Sequence, residues 1–151
     1  GVNTADCVPI VLADEVNGVI AVAHAGWKGT AHRIAAATVA AMVEQGASVA
    51  NIHAAIGASI CQDCFEVGDE VVQHFEECGF NVEQITRRNA TTGKAHISLQ
   101  QANALVLQQS GIASSHIAIS GNCTRCHPER YFSARRLGIA SGRTFTAILR
   151  R

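Results

Sequence analysis

Two residue types that bind metal ions or transfer protons stand near the start of the chain, in Thr4-Ala5-Asp6-Cys7 and in His24-Ala25-Gly26-Trp27-Lys28-Gly29-Thr30. A cysteine sulfur and a histidine nitrogen brought to one point can share a borderline cation, or serve as nucleophile and base. Whether they meet depends on the elements between them. Cys7 to Ala13 and Gly18 to Ala23 are short apolar runs rich in β-branched residues, as strands buried on both faces tend to be. Asp14 to Asn17 is a polar connection short enough for a hairpin, so antiparallel pairing would set the start of the first strand beside the end of the second. Cys7 and His24 are thus predicted to share one sheet edge.

After His24, Gly26 and Gly29 permit a tight turn, Thr30 is the expected N-cap, and Ala31 to Gln45 reads as an alanine-rich helix with Ile34, Val39 and Met42 as its larger apolar contacts. A helix start aimed at the Cys7 and His24 edge would present free N–H groups and partial positive charge. With Lys28, Gly29 and Arg33 beside it, this makes a candidate site for phosphate or a developing oxyanion; the plainer alternative leaves Lys28 and Arg33 as solvated charges. Asp6 is a candidate proton shuttle or a support for His24, and equally a turn residue.

Further along, Val49 to Ile56 reads as a strand and Cys64 to Cys78 as a helix with Asp63 as its cap. Phe80 to Gly93 reads as an exposed loop, Ser98 to Ser110 as an amphipathic helix capped by Ser98, and Ile117 to Ser120 and Thr144 to Leu149 as strands. Strands and helices are mixed without strict βαβ alternation, and no repeat or low-complexity linker interrupts them.

Six cysteines include two Cys-X-X-Cys pairs, Cys61 with Cys64 and Cys123 with Cys126. The gap between the pairs is far longer than in an ordinary zinc ribbon, so a zinc joining them would depend on the fold. Cys123-Thr124-Arg125-Cys126-His127 also matches a haem-attachment pattern, read here as accidental because nothing else in the chain asks for haem. The simpler reading keeps Cys7 as the working thiolate and the other thiols reduced. His32, His53, His74, His96 and His116 show no paired spacing and read as surface or internally satisfied residues.

The chain has 151 residues, 48% of them apolar, and zero formal net charge, enough for one respectable core and without a global pull toward nucleic acid or an anionic membrane. No apolar run reaches the length of a membrane helix, and a cytoplasmic location is expected.

Four ordered motifs carry a resemblance: Thr4-Ala5-Asp6-Cys7-Val8-Pro9; His24-Ala25-Gly26-Trp27-Lys28-Gly29; Cys64-Phe65-Glu66-Val67-Gly68; and Tyr131-Phe132-Ser133-Ala134-Arg135-Arg136 with Ser141-Gly142-Arg143. Together they resemble the YfiH family, whose members have been called multicopper polyphenol oxidases or laccases, purine nucleoside phosphorylases and peptidoglycan editing factors. The resemblance implies an α+β fold with mixed sheets sandwiched between helices in α/β/β/α layers, likened also to the catalytic domain of a bacterial deamidating toxin. It implies that residues 1–151 form a single domain corresponding to the C-terminal part of a longer protein.

The resemblance further implies a zinc centre of one cysteine and two histidines, with Cys7 and His24 matching two ligands and the third, a histidine, belonging to an upstream segment. Such a centre keeps one tetrahedral position open for water. The implied activities are phosphorolysis of adenosine, inosine, guanosine and methylthioadenosine, and deamination of adenosine, with purine nucleoside and phosphate as partners. Trp27 is then either a core residue or an aromatic wall for the base, and Arg136, or its neighbour Arg135, a substrate contact. Three alternatives stay open: copper-dependent phenol oxidation, amide hydrolysis by Cys7 with His24 as base, and editing of peptidoglycan precursors. The sequence encodes neither an oligomeric state nor a preferred nucleoside.

Overall fold

Alternation along two neighbouring runs decides the centre of the structure. In the computed structural model, which describes residues 1–150, strand β2 (Val8–Asp14) and strand β3 (Val19–Ala25) pair antiparallel along their whole length, with Val8 opposite Ala25, Pro9 opposite His24 and Asp14 opposite Val19. β2 also pairs antiparallel with β4 (Ile52–Ile56), and β4 pairs parallel with β8 (Ile117–Ile119), giving a four-stranded mixed sheet in the order β3-β2-β4-β8. On one face Val8, Ile10, Leu12, Ala23, Ala25, Ile52, Ala54 and Ile56 are buried. They meet two helices, α2 (Ile34–Glu44) through Ala35, Val39 and Met42, and α4 (Leu99–Gln109) through Leu99, Ala102, Val106 and Leu107. The opposite face is more open: Val11 and Ala13 are half-buried, and His53 and Ala55 are exposed.

The expected mixed α+β architecture is present. A two-stranded sheet joins β1 (Val2–Thr4) to β9 (Thr144–Thr146), and a three-stranded sheet in the order β5-β7-β6 comprises Glu66–Val67, Ala95–Ile97 and Thr86–Arg88. β1, β5, β6 and β7 are two or three residues long, too short for alternation to mark them: β1 and β5 pair with distant segments, β6 and β7 form a local hairpin, and β9 is the part of the expected Thr144 to Leu149 strand that forms. The segment read as a loop from Phe80 to Gly93 therefore contains β6. The helix expected over Cys64 to Cys78 is shorter: α3 spans Asp69–Glu77, with Gly68 as N-cap and Asp69 and Glu70 in the first turn, while Phe65 to Val67 run toward and into β5.

The helix expected over Ala31 to Gln45 is also corrected. A single turn, α1 (Trp27–Ala31), is capped by Gly26, and Arg33 at φ 57° breaks it from α2. Thr30 caps nothing: it is buried inside α1, where its Oγ1 donates to the Ala25 carbonyl (3.4 Å) and accepts from the Asn103 side chain (3.0 Å). A last helix, α5, covers Ala134–Leu137 with the Ser133 side chain as its cap.

The β2–β3 turn is fastened by Asp14, whose carboxylate accepts from the Asn17 backbone (3.0 Å), the Asn17 side chain (2.8 Å) and the Ser48 backbone (2.8 Å). The Asn17 side-chain donation, ahead of the backbone N–H groups of Asn17, Ser48 and Val16, holds the Asp14 carboxyl below its ordinary range despite the opposing effect of burial. A depressed folded pKa stabilises the fold above the unfolded value of about 3.9, and that contribution is lost as pH falls through the lower folded value. Thermal melts from about neutral pH down to about 2 will show a steeper acid loss for the native chain than for Asp14→Asn. Parallel acid limbs would refute this account of the turn.

Candidate active site

Cys7 sits one residue ahead of β2, and the β2–β3 register carries it across from Gly26, the residue after β3. Side chains two apart on a strand share a face, so Cys7, Pro9 and, opposite Pro9, His24 lie on one face at one edge of the sheet. It is the face turned away from α2 and α4. His24 is exposed and Cys7 half-buried. The backbone at Gly26 passes so close to the sulfur that a Cβ there would stand 3.1 Å from Cys7 Sγ. The expected convergence of the thiol and imidazole positions on one edge is thus the geometry the hairpin gives.

The thiol itself is not primed for attack. Burial, and then the neighbouring Asp6 carboxylate, push the Cys7 thiol up, while the Arg143 guanidinium pulls it the other way without cancelling them. A cysteine nucleophile needs the opposite balance. A cation held at the sulfur would supply what the surroundings do not, since a coordinating thiol is deprotonated by the metal.

Asp6 is occupied elsewhere. Its backbone is left-handed at φ 78°, and its buried carboxylate accepts from Thr124 Oγ1 (2.6 Å) on one oxygen and from the Arg135 backbone N–H (2.6 Å) on the other. Its carbonyl accepts from Ile60 N–H (3.0 Å). These contacts give Asp6 a fastening role: it joins the Cys7 segment to Ile60, to the turn after Asn122 and to the start of α5.

The expected cationic residues separate into two groups. Arg33 turns away from the edge: its guanidinium donates to Gln109 Oε1 (2.6 Å) and the Gly79 carbonyl (3.1 Å) and lies 4.8 Å from the Phe80 ring centroid, clasping α2 to the ends of α3 and α4. Lys28 is exposed on α1, with Nζ 5.5 Å from the Trp27 ring centroid. A Cβ at Gly29 would make only ordinary contacts, with the His24 carbonyl and Ile34, so no close approach demands glycine there. Trp27 is half-buried against the core and meets His74 edge-on at 5.6 Å. Arg136 is exposed on α5, whereas Arg135 donates to the Glu66 carbonyl (3.0 Å) and lies 5.4 Å from the Phe65 ring centroid. Arg143, whose charge reaches Cys7, had as its sequence signal only its place in Ser141-Gly142-Arg143.

Two donor clusters escaped the spacing argument. Cys61, Cys64, Cys123 and Cys126 gather with their sulfurs within 4.8 Å of one another, as do donor atoms of His32, His74 and Cys78. The second set comes from α3 and the α1–α2 break, where the i, i+4 pairing of His74 with Cys78 was the available hint.

Known proteins place this architecture. A family model described as multi-copper polyphenol oxidoreductase laccase matches residues 1–151, the whole of the chain. The chain belongs to that family. Among curated family relatives, a protein named adenosine deaminase RL5, from an unknown prokaryotic organism, is 59% identical over 151 residues, covering 100% of this chain and 58% of that protein. A purine nucleoside phosphorylase of Bacteroides thetaiotaomicron is 42% identical over 149 residues, covering 98% of this chain and 55% of its own length. The chain thus spans a little over half the length of these relatives. Among solved structures, the Bacillus licheniformis hypothetical protein YfiH superposes with a TM-score of 0.87 at 34% identity, covering 93% of this chain and 53% of that one. YlmD of Geobacillus stearothermophilus gives 0.85 at 34% identity, with the same coverage.

Asp6→Ala will cost about 1–3 kcal/mol in urea unfolding, because the buried Thr124 hydroxyl and the part-buried Arg135 N–H lose their acceptor. Asp6→Asn, which tolerates the same backbone and keeps one accepting oxygen, will lose less. Equal, negligible losses in both would remove Asp6 from its fastening role.

Proposed function

We propose that this chain contributes Cys7 and His24 to a zinc centre acting on purine nucleosides, in phosphorolysis of the N-glycosidic bond and in deamination of adenosine. The observation that carries the reading is the β2–β3 register, which sets a thiol and an imidazole on one face of one sheet edge. The names of the relatives, adenosine deaminase and purine nucleoside phosphorylase, supply the substrate class.

The donor set suits zinc: a thiolate and an imidazole are borderline-soft ligands, and the raised Cys7 thiol is one that a cation would ionise. With a third protein ligand, zinc leaves a position for water and lowers that water's pKa to about 7. The chain's own residues supply the rest. Gly26 keeps side-chain bulk away from the sulfur. With Arg33 committed to Gln109 and Gly79, the cations proposed for phosphate are the exposed Lys28 and Arg136, together with Arg143, which is held on the Ser141 and Gly142 carbonyls and whose charge reaches Cys7. They act as charges that gather an anion near the edge, since a one-turn α1 offers little macrodipole. Trp27, held edge-on by His74, offers an aromatic surface for a purine ring. Asp6 contributes by position, fixing Cys7 relative to α5.

Phenol oxidation by copper ranks below this reading. A multicopper centre needs many histidines together, and the donor clusters among the described residues are one of four thiols and one of two histidines with a cysteine. Amide hydrolysis by Cys7 is disfavoured by the raised thiol.

The test is incubation of the natural protein carrying this chain with adenosine, with and without phosphate, followed by chromatography of the bases and nucleosides. Adenine release will require phosphate, inosine release will not, and Cys7→Ala or His24→Ala will lower both on the order of 100-fold or more. Undiminished turnover in both variants would place the chemistry elsewhere.

A further inference from the structure

Two Cys-X-X-Cys turns, separated by 62 residues in sequence, close on one another at the end of the four-stranded sheet. Beyond β4 and β8 the parallel pairing continues as a bridge between Ser59 and Cys123, with Ser59 N–H donating to the Asn122 carbonyl (3.2 Å) and Thr124 N–H to the Ser59 carbonyl (3.1 Å). Past this bridge the chain folds so that the Cys61 backbone N–H reaches Cys123 Sγ. Each pair then sits on a tight turn: Phe65 N–H returns to the Cys61 carbonyl (3.0 Å), and His127 N–H to the Cys123 carbonyl (3.2 Å).

The resulting cluster has the features of a tetrathiolate cage. All four sulfurs lie within 4.8 Å of one another, and Cys64 Sγ and Cys126 Sγ are 3.5 Å apart. Zinc–sulfur bonds of about 2.3 Å in a tetrahedron require sulfur separations of about 3.8 Å, so small shifts complete the geometry. The Cys61 backbone N–H donates to Cys123 Sγ (3.3 Å), an interaction that favours the ionised sulfur a metal needs. Burial is graded, from Cys123 inside to Cys126 at the surface, which leaves an entry path for an ion.

We propose that Cys61, Cys64, Cys123 and Cys126 bind a structural zinc ion, distinct from the Cys7 and His24 position and closed to substrate. Four protein ligands leave no open coordination site, so this ion does no chemistry on a nucleoside. Its role is to tie the segment after β4 to the segment after β8. The latter includes Thr124, whose hydroxyl is bound by Asp6, and leads on to α5 with Arg135 and Arg136. Binding releases the protons of whichever thiols are not yet ionised and changes no oxidation state.

The experiment starts from a Cys7→Ala, His24→Ala background, so that its outcome is independent of the proposed nucleoside site. Elemental analysis after anaerobic purification will find one zinc per chain, and adding Cys64→Ser with Cys126→Ser will abolish it. Cobalt reconstitution of the same background will give intense thiolate-to-cobalt charge-transfer absorption with tetrahedral d–d bands. In case the serine variants fail to fold, a mercurial titration of the otherwise unaltered background protein will release one zinc as four thiols react together. A zinc-free protein, a Cys64–Cys126 disulfide found by mass spectrometry, or an iron–sulfur chromophore in place of zinc would each overturn the proposal.

Discussion

One buried carboxylate fixes how the parts of this molecule sit around the sheet edge. Asp6 accepts from the Thr124 hydroxyl and the Arg135 backbone on its two oxygens, and its carbonyl receives Ile60 N–H. Segments far apart in the chain are thereby referred to a single residue, the immediate neighbour of Cys7. Burying an ion is tolerable only when its oxygens are satisfied, and here each is. The left-handed backbone at Asp6 is part of the same arrangement, since aspartate is among the few residues that enter that region at modest cost. Loosening this contact would free α5 from the Cys7 segment while leaving the β2–β3 hairpin intact.

The division of labour among the basic residues follows from the same scaffold. Arg33 has its guanidinium drawn to the C-terminal ends of α3 and α4, where the Gly79 carbonyl and the Gln109 side chain accept from it. That choice is made by the backbone: the left-handed Arg33 splits what alanine-rich composition alone would make one helix, and swings its side chain to the far side. The cation whose charge reaches Cys7 is instead Arg143, from the last quarter of the chain.

Much of this was legible in the sequence, for identifiable reasons. The β2–β3 hairpin is a local structure with a short polar turn and long apolar runs, so its register, and with it the shared edge of Cys7 and His24, could be derived before any coordinates. Ser98 as cap of α4 was equally readable. What could not be read was non-local or very short. The strands β1 and β5 exist because a distant partner is available, and β6 and β7, a local hairpin of three residues a side, are too brief for alternation to mark. The gathering of four cysteines depends on the parallel extension of β4 and β8, which spacing along the chain does not encode. Thr30 looked like a cap because a hydroxyl at a helix start usually is one; its burial beside Asn103 reassigns it to the interior.

Gly26 carries no functional group, yet the clearance of a donor atom is set there. A methyl group at this position would press on the Cys7 sulfur at 3.1 Å, closer than almost all carbons of that kind approach a neighbour. The tolerance of the edge to sequence drift is therefore narrow at a residue with nothing to contribute chemically, and a catalytic inventory that counts only reactive side chains would overlook it.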